Sequence, residues 1–111
     1  MKKINKEELR DLILDGISTE ELNSKYDYSG ITDMSCMFED CSSLEYVPWF
    51  DTSNVNRTWR MFYDCHMLKA VPLFDLSNVT TATCMFENCL KLENVPKFDI
   101  PKCTNQYAFH V

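Results

Sequence analysis

Six cysteines and two histidines are the residues of this 111-residue chain that could do nucleophilic or metal chemistry. Cys65 precedes His66, and a thiol with an imidazole suggests a nucleophile and its base, which also needs a third group to orient the base. Adjacent residues point in different directions, so this pair is not by itself a dyad. No C-x-x-C occurs, and Cys36 and Cys41 are five apart, a poor spacing for zinc. Gly16 and Gly30 are the only glycines, which leaves no glycine-rich loop for a phosphate. The expectation is a protein without catalysis, metal or cofactor.

The remaining chemistry is that of contact. Trp59, Tyr63, Arg60, Met67, Trp49 and Leu73 are the candidate protein-binding residues, because they interrupt an otherwise repeated pattern. Trp and Tyr are common anchors at interfaces. Trp59 could equally fill a local gap. Trp59 and Tyr63 are four apart and could share a helical face, whereas Trp49 and Leu73 belong to another side. Arg57 and Arg60 could pair with a partner's carboxylate or with Glu39 and Glu87, and surface pairing is the commoner outcome.

The pattern these residues interrupt is a repeat. Residues 27–50 are rewritten as 51–74 and 75–98, and a partial copy occupies 99–111. Ile31, Val55 and Val79 form one column. Phe38, Phe62 and Phe86 form another, followed by Cys41, Cys65 and Cys89, then Leu44, Leu68 and Leu92. Val-Pro pairs and Phe50, Phe74 and Phe98 close the blocks. A fixed period of this length points to stacked units that bury their apolar residues on one another. Polar corners at Asp51 and Asp75 should turn the chain by side-chain bonds to backbone. Short helices are expected over 56–63 and 80–87. Residues 44–47 and their copies should pair as a narrow parallel sheet, each strand stopped by a proline. Cysteines in one column read as buried thiols, not disulfides.

Residues 1–26 do not follow the repeat. Asn5 should cap a helix over 5–15, and Ser18 with Glu21 a second over 18–26. They read as an N-terminal cap on the stack; the alternative is a partner-binding appendage. A helix-turn-helix is disfavoured by their acidic surface. The last partial copy, with Tyr107 and Phe109, reads as a C-terminal lid. The expected fold class is therefore an α/β solenoid, a right-handed coil stack with a narrow parallel sheet, with a helical cap at 1–26 and the repeats at 27–111.

Composition bounds the partners. The formal net charge is −6, with 17 acidic and 11 basic residues, and no basic cluster could track a phosphate backbone. Direct nucleic-acid binding is not expected. The segment after Lys2 and Lys3 is charged, unlike a signal peptide, and no apolar run could span a membrane, so a cytoplasmic location is expected.

The string formed by Asp51-Thr52-Ser53-Asn54-Val55, Met61-Phe62, Cys65, Leu68, Val71-Pro72 and Phe74, repeated from Asp75 to Phe98, resembles the BspA-like leucine-rich repeats of mycoplasma surface lipoproteins and related bacterial and phage proteins. That resemblance implies a leucine-rich-repeat-like solenoid without catalytic residues. It also implies a small protein-binding module acting through its solenoid surface, encoded by a bacterium or phage. A structural or self-associating component of a larger assembly, with homo-oligomers as the partners, is the alternative.

Overall fold

Asn5 opens the first helix because it satisfies two orphan ends at once. Its side chain accepts the Glu8 amide at 2.8 Å, and its own amide donates to the Glu8 carboxylate at 3.1 Å. This reciprocal capping box starts α1, Lys6–Leu14. Ser18 accepts the Glu21 amide at 3.1 Å and starts α2, Thr19–Lys25. The computed structural model describes residues 1–103. The expected lid of Tyr107 and Phe109 lies outside them.

Two strands complete the regular structure among the described residues. Strand β1, Lys2–Lys3, pairs in parallel with β2, Tyr26–Asp27. Leu9, Ile13 and Leu22 turn inward and share one apolar cluster with residues of all three blocks. Burying each such side chain contributes about 1.5–3 kcal/mol.

The blocks lie against one another at the offset present in the sequence, held by a ladder of backbone bonds. The amides of Met34, Cys36, Phe38 and Asp40 donate to the carbonyls of Arg57, Trp59, Met61 and Tyr63 at 2.8–3.0 Å. Thr58, Arg60, Phe62 and Asp64 repeat this toward Thr81, Thr83, Met85 and Glu87. Between these rungs the amides bond back three residues, as Met37 does to Met34 and Cys41 to Phe38. Cys36, Asp40, Arg60, Asp64, Cys84 and Asn88 reach this geometry with φ between 54° and 63°. Inside the ladder the Phe38 and Phe62 rings stack at 5.2 Å, Phe62 and Phe86 at 5.5 Å, and Phe86 and Phe98 at 6.1 Å.

This architecture corrects the expected fold class. The protein is a small compact globule and not an α/β solenoid of the leucine-rich-repeat kind. Its radius of gyration is 13.0 Å, close to the ~13 Å of a compact chain of this length, and its extents are 37 × 30 × 19 Å. Among the described residues the sheet consists of two two-residue strands and does not curl. Strands do not form at 44–47 and its copies; an isolated bridge joins Tyr46 to Ala70. Helices do not form at 56–63 or 80–87, where the chain makes tight turns. The physical reason is the left-handed residue that recurs within each block. It ends a right-handed turn before a helix can propagate. The spacing of Phe38, Cys41 and Leu44 is satisfied instead by turns closing over three residues.

Two substitutions test this account. Cys84 sits at φ 58°, so Cys84→Val should destabilise by about 1–3 kcal/mol while Cys84→Gly stays near neutral. Equal effects in urea unfolding would count against the left-handed turn. Thr58 is fully buried and its hydroxyl has no partner. Thr58→Val should raise the urea midpoint, by about 1 kcal/mol in stability; a loss would show that the hydroxyl is satisfied.

Candidate functional site

Trp49 is positioned by both parts of the chain. It follows Pro48, and its carbonyl accepts a hydrogen bond from the Thr19 hydroxyl at the start of α2. The next residue, Phe50, is buried against Phe74 at 5.0 Å and edge-on to Tyr28 at 6.3 Å. The backbone on both sides is thus fixed while the Trp49 side chain stays 40 % exposed.

A cleft of about 410 Å³ runs from Trp49 past Leu73 to Lys97, floored by Phe74 and Leu76 and edged by Asp75 and Asp99. Leu73 is 62 % exposed. On the other side of Trp49 a second cleft, of about 270 Å³, is walled by Tyr26, Tyr28 and Ile31 and edged by Asp27 and Asp51. Tyr28 braces this cleft. Its hydroxyl donates to Asn23 Oδ1 at 2.7 Å and accepts the Asp51 amide at 2.9 Å. Burial pushes the Tyr28 phenol above its usual range.

The acidic rims are built by one local motif. Asp27 Oδ1 accepts the Ser29 amide at 3.0 Å and hydroxyl at 2.6 Å. Asp75 and Ser77 repeat it at 3.0 and 2.6 Å, and Asp51 Oδ1 accepts the Ser53 amide at 2.9 Å. The serine bonds hold the Asp27 and Asp75 carboxyls below the ordinary carboxylate range. In each turn, Oδ2 stays outside these bonds.

The six candidate binding residues separate. Trp49 and Leu73 share a cleft. Arg60 and Tyr63 are joined to each other, the guanidinium lying 4.0 Å from the ring centre, and Arg60 Nη2 pairs with Glu39 at 3.0 Å. Trp59 and Met67 are exposed at 39 % and 38 % and line neither of the two clefts that Trp49 borders. Tyr26, Tyr28, Asp27, Asp51, Asp75 and Asp99 were not among the candidates. The Asp-x-Ser spacing of the corners is the signal that marks the acidic rims.

The cysteines are free thiols. Cys65 and Cys89 are buried and donate to the carbonyls of Phe38 and Phe62 at 3.0 and 3.1 Å. Burial pushes their pKa values up to about 12 and about 11. His66 is exposed, with Nε2 3.7 Å from Asp64 Oδ1. Among the described residues, no group of three or more His, Cys, Asp or Glu is arranged to hold a metal ion. No helix among them is long and apolar enough to cross a membrane.

A raised thiol pKa favours the folded state below the unfolded value of 9.0, and that contribution is lost as pH rises toward the folded values. The urea midpoint should therefore fall between pH 9 and 12. At pH 8, Cys65 and Cys89 should resist a thiol reagent in the native protein and react once it is unfolded. Native labelling of Cys65 as fast as of an unfolded thiol would contradict the assignment.

The comparisons with known proteins correct the BspA-like resemblance. No curated protein and no solved structure matches the chain. One family model, described as "Mycoplasma protein of unknown function, DUF285", matches residues 8–110, which include most of α1, all of α2 and the repeats. The chain belongs to this family of mycoplasma proteins, and not to the leucine-rich repeats its blocks resemble.

Proposed function

We propose that this chain works by contact with another protein through the local edge that carries Trp49 and Leu73, with no chemistry of its own. The function expected from the repeats, binding through a solenoid surface, does not apply, because a compact globule offers no such surface. One observation supports the present reading: Trp49 and Leu73 are both well exposed and border one cleft. A Trp and an aliphatic residue around an apolar floor, edged by charge, have the composition of a contact centre with a polar rim. The net charge of −6 favours a protein over a nucleic acid as the partner.

The test is cross-linking in the source cells. A photoreactive residue placed at Lys97, on the cleft rim, should give a discrete protein adduct. Trp49→Ala and Leu73→Ser should each remove it, since truncating an anchor costs about 2 kcal/mol. Trp59→Ala should leave it. An adduct that survives both edge substitutions would contradict the proposal.

A further inference from the structure

The two clefts beside Trp49 differ in chemistry. The larger carries its own cation, Lys97, beside Asp75 and Asp99. The smaller brings three aromatic side chains, Tyr26, Tyr28 and Trp49, together with two carboxylates, Asp27 and Asp51; no lysine or arginine lines it, and the one positive group on its lining, the α-ammonium of Met1, leaves the carboxylates in excess. Aromatic faces attract a cation through the ring quadrupole, and carboxylates at the rim add charge-assisted hydrogen bonds. Asp27 keeps its charge because Ser29 donates two bonds to Oδ1, and Oδ2 is left to accept from a ligand. Two positive groups act on Asp27, Lys3 on the exposed strand β1 and the α-ammonium of Met1.

We infer that this smaller cleft receives an arginine side chain of the protein partner. The inference rests on the contact edge proposed above and names the chemistry that the edge recognises. About 270 Å³ suits one long side chain and not a folded element. A guanidinium is flat, stacks on an aromatic face and presents paired donors to a carboxylate, which an ammonium does not. The cleft has both parts. Trp49 and the half-buried Tyr26 supply faces for the side chain, and Asp27 and Asp51 stand at the rim for its donors. Asn54 Nδ2 donates to the Ser29 carbonyl at 3.1 Å, tying the two acidic turns together so that the rim is set before anything binds.

The probe is a short blocked peptide with one central arginine among alanines, compared with the same peptide carrying citrulline, which keeps the shape and removes the charge. Binding is followed by the indole N–H resonance of Trp49, assigned with Trp59→Phe. The arginine peptide should shift it saturably, and citrulline should bind at least about fivefold more weakly. Asp27→Asn with Asp51→Asn keeps the Oδ1 acceptors of the turns and should weaken the arginine peptide by a similar factor. Citrulline binding as well as arginine, or no loss in the double variant, overturns the inference. If the peptides behave alike while Leu73→Ser still abolishes the cross-link, arginine recognition falls and the contact edge stands. If the arginine peptide binds as expected while the cross-link survives both edge substitutions, the cleft assignment stands and the contact edge falls.

Discussion

Twice in each of the first two blocks the chain passes through a left-handed residue and donates that residue's amide to the neighbouring block. Cys36 and Asp40 do so toward Trp59 and Tyr63, and Arg60 and Asp64 toward Thr83 and Glu87. A non-glycine residue in this region costs about 1–3 kcal/mol. At Cys36, Asp40, Arg60 and Asp64 that cost is offset because each reversal points successive amides alternately at the chain's own turn and at the next block. Without it those amides would lose these acceptors, at a cost comparable to the strain. The left-handed turn is therefore the constraint on which the layers depend.

Side-chain packing follows from that geometry. The ladder places equivalent residues over one another, so Phe38, Phe62 and Phe86 stack nearly parallel, with 9° and 5° between planes. The same registration explains the cysteine column. The Cys65 and Cys89 thiols reach a carbonyl one block back, at Phe38 and Phe62. A thiol suits this place because it fills apolar space yet offers a weak donor. Leu9, Ile13 and Leu22 extend the same core, so the helices are packed into the globule. Through Thr19 they also reach the backbone of Trp49.

Much of this was legible in the residues, and the misreadings have physical causes. Asn5 and Ser18 announced the two helices, because capping is a local signal. The repeated Phe and Leu positions announced buried columns. What misled was the turn chemistry. Left-handed positions usually advertise themselves as glycine, but here they are Cys36, Arg60 and Cys84, and Asp40, Asp64 and Asn88. Only the carboxylate and amide residues hint at that conformation. Lacking that signal, the repeat resembled coils with strands and short helices, and a short coil stack was inferred from a compact globule. The site was half legible. Trp49 and Leu73 occupy one repeat position, so their proximity follows from the period. Tyr26 and Tyr28 come from the junction with the helices, where no period applies.

The edge at Trp49 is the place where the two parts of the molecule meet, with a mixed-charge cleft on one side and an acidic aromatic cleft on the other. Its shape depends on the blocks holding register, and so on the left-handed turns beneath it. Amide hydrogen exchange read residue by residue is the most direct measurement of that dependence. The amides of Met34, Cys36, Phe38 and Asp40, with those of Thr58, Arg60, Phe62 and Asp64, should be protected as one group, with a common opening free energy. Exchange of these eight as fast as the exposed amides of Ser42 and Ser43, while α1 remains protected, would contradict the account.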